Sequence, residues 1–448
     1  MARQNEVGIS KGIDVSLVWL YLLLVAIGIM AIFAVTYRDG DPIVASFLSF
    51  KTDYSKQFYY FLIAGVLAIF ILITDSKFFP ATANLWYAVG IVLLLLVFPF
   101  HSRVKGTESI IRFSGFQFQP AEFCKVVVAL ALAKYLSLPN LDFTKTSSQL
   151  IAAALALTPA VFSIMQSETG LALVYFSFFF VMYREGLPAT ILIVGFSIAV
   201  LVVTTLLIEK NTLAIILTVV AILVAYIMSR IVRRKREMIV KIVLIWALCV
   251  GIQRFGVPFL FKHVFHSYQV ERIFNTIGRD VPPEYLRIAE TNNVGDRPVK
   301  KKDTDYNVKQ SKIAIGSGGL TGKGLLKGTQ TRYEFVPEQR TDFIFCTIGE
   351  GFGFAGTMTL LLIYLILLFR IVTVAERQRS VFSRCYAYGV AAVFFFHIVI
   401  NICMTVGLAP VIGIPLPFIS YGGTSLLTFT IMLFILIRLD ADKQMILR

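Results

Sequence analysis

Asp342 stands in the stretch "VPEQRTDFIF" (336–345), a carboxylic acid followed at once by Phe343, Ile344 and Phe345 and then by a long apolar run. An acid at the head of a hydrophobic span either serves chemistry at the membrane boundary or caps the coming helix, where Asp342 or Thr341 would accept a free backbone N–H. A second group lies in "FQPAEFCK" (118–125). Pro120 suits the first turn of a helix, and Glu122 and Lys125, three apart, then share one helix face. A charged pair just inside a membrane helix faces a cavity or a partner and is functional by default; a salt bridge tying helices together is the structural alternative. Glu168, in "MQSETG" (165–170), is either solvated at the outer mouth between two spans or joined to that pair across a shared cavity.

Two further stretches invite a chemical role. "IAIGSGGLTGKGLLKGTQ" (313–330) resembles a phosphate loop only superficially: before Gly322 and Lys323 the first position is Ser317, and Gly324 follows the lysine where Ser or Thr is required. Its glycines suit a tight backbone and close approach to a bulky ligand. "GLAPVIGIPLPFISYGGTSLL" (407–427) is rich in proline and glycine between two spans. Backbone of that kind cannot face lipid, so it re-enters the protein or lines a watery vestibule, with Ser420 and Tyr421 as ligand contacts or as parts of a tight turn. His101, His263, His266 and His397 show no catalytic or metal spacing, and the five cysteines lie far apart without a C-x-x-C pair.

The elements that must position these residues are membrane spans. The chain has 448 residues, of which 57% are hydrophobic and 15% charged, and its mean hydropathy is +0.77. This is an integral membrane composition. Apolar runs of helical length fall near 15–36, 57–75, 84–100, 120–137, 149–165, 170–183, 188–208, 212–230, 239–257, 343–369, 386–406 and 422–438. The expectation is an all-α polytopic membrane protein with ten to twelve spans in a single membrane domain. The first run is too long for a signal-peptide core, so it is expected to be retained.

Basic clusters orient the spans. "RIVRRKRE" (230–237), "RIVTVAERQRSVFSR" (370–384) and the tail with Arg438, Lys443 and Arg448 all fall on one side, the cytoplasmic one, with both termini. The formal charge of +15 therefore belongs largely to such loops and not to a nucleic-acid surface. The same count sends the long polar segment 258–341 to the outer face. Its run Lys300 to Lys302 suits solvent, whereas the bases nearer Asp342 suit an anionic ligand such as a phosphate.

Segments 310–356, "QSKIAIGSGGLTGKGLLKGTQTRYEFVPEQRTDFIFCTIGEGFGFAG", and 415–427, "PLPFISYGGTSLL", closely resemble the signature segments of the SEDS family of bacterial cell-wall proteins. "FQPAEFCK" and "QSETG" resemble further motifs of that family, the latter more usually written with Asp in place of Glu168. The wording is more like the elongation member than the division member. The resemblance implies a SEDS-type helical bundle acting as a peptidoglycan glycosyltransferase, which polymerises lipid II at the outer face of the cytoplasmic membrane beside a class B penicillin-binding protein of the elongation complex. It places the essential acid on Asp342 and the cavity charge network on Glu122, Lys125 and Glu168. Three departures are visible: a surplus pair of spans within 188–257, Arg340 where His is common, and Glu350-Gly351 where two acids are common.

The reaction so implied joins a sugar hydroxyl to an anomeric carbon that carries an α-linked lipid pyrophosphate, and it yields a β-1,4 linkage by a single inverting displacement. It needs a base near the hydroxyl and a cation near the leaving group. Asp342 is the expected base; Lys312, Arg332 and Arg340, or a magnesium or manganese ion, are the expected cations. A lipid-linked sugar transporter and a non-catalytic scaffold for the penicillin-binding protein are the competing readings.

Overall fold

A computed structural model describes residues 12–38, 40, 42–100, 102–104, 107–113, 116–166, 168–228, 237–264, 270, 274, 304–409 and 411–442. The basic cluster at 230–236, the Lys300 to Lys302 run, His266, Lys443 and Arg448 lie outside the described residues.

The chain forms two compact units, residues 1–187 with 307–448 and residues 188–306. In the first, α1 (Val15–Thr36) opens at Asp14, whose carboxylate accepts the Leu17 N–H at 3.4 Å. α2 (Ile43–Leu48) is a short helix, and α3 (Asp53–Ile73) and α4 (Phe78–Phe100) are spans. A small antiparallel sheet follows, β1 (Ser102–Val104), β2 (Thr107–Phe113) and β3 (Phe116–Phe118), with Ile111 paired to Phe118. This sheet is the one departure from an all-helical fold among the described residues. Its sequence signal is a Ser-Gly pair between runs of β-branched and aromatic residues. α5 (Pro120–Leu136) does begin at Pro120, and α6 (Thr146–Met165) is followed by the half-length helices α7 (Thr169–Tyr175) and α8 (Phe178–Arg184).

The second unit holds α9 (Ala189–Leu207), α10 (Lys210–Ile227) and α11 (Glu237–Gly251), the last continuing through wider turns to Val264. Its own small core gathers Leu206, Val257, Phe261, Val270 and Phe274.

α12 (Thr304–Ser317) and α13 (Thr329–Arg332) frame the Gly-rich loop. α14 (Ile344–Glu376) follows Asp342 and kinks at Gly353, whose φ of +64° is open to glycine but costly to other residues. α15 (Val381–Thr405), the irregular segment 406–422 and α16 (Gly423–Asp442) complete the first unit.

All twelve expected runs fall on helices. Ten are long and apolar enough to cross a bilayer. Of the other two, α5 has 17 residues and carries Glu122 and Lys125, while α7 and α8 together make the shorter apolar run Thr169–Arg184. Burial separates the central helices from the peripheral ones: 89% of the apolar window of α16 and 61% of that of α15 are buried, against 22% for α3. α16 packs on α3 and α5, and α15 packs on α5 and α14. The polar residues of α5, α15 and the start of α14 therefore sit where lipid is excluded.

Candidate active site

Asp342 lies at a joint where three pieces of backbone meet, and each holds it through the main chain. From α15, the Asn401 side-chain amide donates to the Asp342 carbonyl at 2.9 Å and to the Ile414 carbonyl at 2.7 Å. From the irregular segment, Ser420 Oγ donates to the Thr341 carbonyl at 2.6 Å, and the Tyr421 N–H donates to the Arg340 carbonyl at 2.8 Å. Upstream, the Glu338 carbonyl accepts the N–H groups of Thr341 and Phe343, and its carboxylate accepts the Thr341 hydroxyl at 3.2 Å. Gly413, at φ +77°, runs past the acid so closely that a Cβ there would stand 3.3 Å from Asp342 Oδ2. The helix-cap role is not what the structure shows: the N-cap of α14 is Phe343, with no side-chain capping bond.

The segment that clasps the acid is itself held from below and is strained. Ser420 Oγ accepts the Leu416 N–H at 2.8 Å, closing the turn, and Gln57 of α3 bonds both the Ser420 carbonyl and the Gly422 N–H. Tyr364 donates to the Pro417 carbonyl at 2.6 Å. Phe418 adopts φ +65°, an uncommon left-handed value for a bulky residue. Its ring is wedged edge-on against Tyr21 and Phe394, and such packing is what makes backbone strain of this kind persist. Glu338 has φ +57° on the other side of the acid.

Beneath this joint lies a wholly buried cluster. Lys125 Nζ donates to Glu122 Oε2 at 2.6 Å and stands 2.9 Å from His397 Nε2 and 4.8 Å from the centre of the Phe429 ring. His397 Nδ1 is 3.0 Å from the Pro415 carbonyl, which only accepts. The proton therefore sits on Nδ1, and Nε2 accepts from the lysine. The ammonium thus meets a carboxylate, a lone pair and a ring face, the partners that let a charge persist out of water.

Other expected residues take different places. Glu168 accepts from Ser109 Oγ at 2.6 Å and from the Gln119 amide at 3.1 Å, joining the sheet to the start of α7. Arg340 pairs with Asp53 at 2.7 Å and Glu334 at 2.5 Å. Burial works against its charge, but the two carboxylates prevail and hold its pKa above the ordinary arginine value. Arg332 donates to the Leu326 carbonyl at 2.7 Å. Lys312, on α12, packs against Gly407 at the end of α15, close enough that a Cβ at that glycine would collide with the lysine side chain.

The Gly-rich loop binds the protein's own backbone. A Cβ at Gly318 or Gly322 would strike the Gly349 or Gly351 carbonyl, and the Lys323 and Gly324 N–H groups donate to the Glu350 and Gly351 carbonyls at 3.0 and 2.9 Å. Glu350, fully buried, accepts from Lys323, from the Gln330 N–H and from the N–H and hydroxyl of Thr331, all within 2.9 Å. It staples the loop to α14.

His397, Asn401, Gln57 and Glu338 were not among the candidates from sequence. A signal existed for the first two: a His and an Asn four apart in an otherwise apolar span lie on one helix face, and polar groups in spans are functional by default.

Residues 15–238 and 191–445 match the FtsW/RodA/SpoVE family, described as cell cycle protein; the two stretches overlap across 191–238. The chain is 28% identical over 387 residues to peptidoglycan glycosyltransferase MrdB of Escherichia coli, covering 85% of this chain and 84% of that protein. It is 29% identical over 463 residues to peptidoglycan glycosyltransferase RodA of Treponema pallidum, with coverages of 96% and 98%. Its fold is similar to a chain of a peptidoglycan synthase complex that coordinates polymerization and crosslinking, with TM-score 0.65, 21% identity, and coverages of 96% and 98%. It is also similar to the rod shape determining protein RodA of Thermus thermophilus, with TM-score 0.58, 20% identity, and coverages of 96% and 97%. A family match over nearly the whole chain, together with a bundle of apolar helices around one clasped acid, makes this multi-pass bacterial membrane protein a member of the FtsW/RodA/SpoVE family.

Proposed function

We propose that the chain is a peptidoglycan glycosyltransferase of cell elongation, polymerising lipid II into β-1,4-linked strands with Asp342 as general base. The acceptor sugar hydroxyl attacks the anomeric carbon of the lipid-linked donor, the bond to the pyrophosphate breaks on the opposite face, and the Asp342 carboxylate takes the hydroxyl proton. The observation that carries this reading is the clasp on Asp342: bonds from α15, the segment 406–422 and Glu338 hold its main chain at one place. A base must be held within hydrogen-bond reach of the proton it takes.

Lys312 and Arg332 are the bases proposed to face the leaving pyrophosphate, while Arg340 is already shared by two carboxylates. Ser420, Tyr421, Glu122 and Lys125 shape the site from behind, and Glu168 braces the sheet beside it. Among the described residues no group of three or more His, Cys, Asp or Glu is placed to hold a metal ion.

The acid is assigned to the outer face. Asp14, Arg370, Arg377 and Asp440 meet at the opposite end of the helices, in keeping with basic loops and both termini on the cytoplasmic side. The proposed partner is a class B penicillin-binding protein, and two of the three spans within residues 188–257 are proposed as an inserted pair. The enzyme is favoured over a transporter because the buried charges bind one another and His397, whose ring binds the segment beside the acid.

The test is polymerisation of lipid II by the purified protein with its partner. Asp342→Asn should lower glycan chain growth by about a hundredfold or more; undiminished chains from that variant would remove the base assignment.

A further inference from the structure

We infer that His397 and Asn401 are positioning residues: together they form a rack on α15 that sets the place of Asp342, and through His397 the buried Glu122–Lys125 pair acts on the reaction. The inference rests on Asp342 being the base.

Four bonds carry it. Residues 397 and 401 are one helical turn apart and point the same way. Asn401 binds the carbonyls of Asp342 and Ile414; His397 binds the carbonyl of the next residue, Pro415, and accepts from Lys125. Two consecutive carbonyls of the irregular segment and the carbonyl of the acid are thus hung on one helix face. Both residues are fully buried. The amide orientation of Asn401 is set by its bonds: Nδ2 faces two acceptors, and Oδ1 has no hydrogen-bond partner among the described residues. Flipping the amide would turn oxygen against two carbonyl oxygens, so the side chain has one usable pose.

The same logic fixes His397. With Nδ1–H given to Pro415, only a neutral ring can accept from the lysine; an imidazolium would turn an N–H against the ammonium. Lys125 in turn is held by Glu122 and by the Phe429 ring. Glu122 and Lys125 then need not touch the sugar to matter. Loss of either releases His397, which releases Pro415 and the Gly413 turn beside the Asp342 carboxylate. A misplacement of about 1 Å at a reacting group can cost about a hundredfold in rate.

The rack is tested in the full-length protein with its partner, using lipid II as substrate and thermal unfolding of each variant as a control. Asn401→Asp and His397→Leu should each lower kcat by about tenfold or more while KM changes by less than about twofold, because the substrate's own contacts remain. His397→Asn, whose amide can still donate to Pro415, should recover most of the His397→Leu loss. Lys125→Met should add little in the His397→Leu background, since both act along one route. Variants that unfold normally and polymerise at the parental rate would overturn the inference, as would a His397→Asn variant no better than His397→Leu, or fully additive effects. A structure of Asn401→Ala reads the placement without activity: a shift of Asp342 against α15 of about 1 Å or more supports the rack, and an unmoved joint overturns it. If Asp342→Asn polymerises normally while that joint shifts, the base assignment fails and the rack stands.

Discussion

The two ends of the helical unit are both rich in polar contacts, but they use them differently. At the Asp342 end, side chains from regular helices donate to main-chain carbonyls of the acid and of the irregular segment: Asn401 to Asp342 and Ile414, His397 to Pro415, Tyr364 to Pro417. At the other end, charged side chains bind one another across helix ends. Asp14 pairs with Arg370 at 2.8 Å and Arg377 at 2.9 Å, Arg377 also pairs with Asp440, and Arg384 pairs with Glu185 at 2.8 Å. Ion pairs between half-exposed arginines and the carboxylates of helix ends keep their guanidinium side in reach of water, so they tolerate small motions and suit a lock on helix ends. Directional bonds to an irregular backbone specify one conformation, which is what a catalytic group needs. The difference marks the Asp342 end as the place where position matters most.

The comparison is most sharply tested by Asp342→Asn. It should lower lipid II polymerisation by about a hundredfold or more, the usual range for losing a general base, with little change in unfolding temperature. A polymerising Asp342→Asn would remove what distinguishes this end from the other. Next in size, Lys125→Met leaves the Glu122 carboxylate buried without its cation and should cost about 3–5 kcal/mol of stability, read by denaturant or thermal unfolding. A neutral result would mean the pair is dispensable to the fold and the buried cluster is no foundation. Glu350→Gln removes a charged acceptor from the Lys323 and Thr331 bonds and should cost about 1.5–3 kcal/mol, with the Gly-rich loop becoming protease-sensitive first.

At the lock, Arg377→Ala should cost about 1.5 kcal/mol and leave polymerisation within about twofold, since buried Asp14 keeps Arg370 and buried Asp440 keeps Gln378. A hundredfold loss of rate there would erase the distinction between lock and clasp. The smallest effect is acid sensitivity at Asp14. Burial alone raises this carboxyl's pKa, but the hydrogen bond and charge of Arg370, with the charge of Arg377 and the Leu17 N–H, outweigh it and leave the group below the usual aspartate value. A lowered folded-state pKa means that the stabilisation is complete above about pH 4 and fades as pH falls through the lowered value. Unfolding measured against pH should therefore show an acid loss that Asp14→Asn removes.

Legibility differed along the same divide. The spans, the start of α5 at Pro120 and the Glu122–Lys125 face were readable because they depend on neighbours three or four residues away. Ser420 and Tyr421 were legible as special backbone but not in their role, since the partners of Ser420 and Tyr421 are the carbonyls of Thr341 and Arg340, far off in the chain. The Gly-rich loop was read as approaching a ligand and is found approaching α14. Glycine shows where something comes close and not what. Glu350, which the sequence marked only as a lone acid where two are common, proves to be a fully bonded staple.

What the sequence by itself determined is where the helices lie, because hydropathy over about 20 residues is a local property that a bilayer reads directly. It also marked Asp342, an acid that composition makes conspicuous at the head of a span. Only the tertiary structure decided which polar groups meet: Lys125 finds His397, 272 residues away, and Asn401 finds the Asp342 carbonyl across 59. The reason is that a buried polar group must find its partner wherever packing brings one, and packing is a property of the whole bundle.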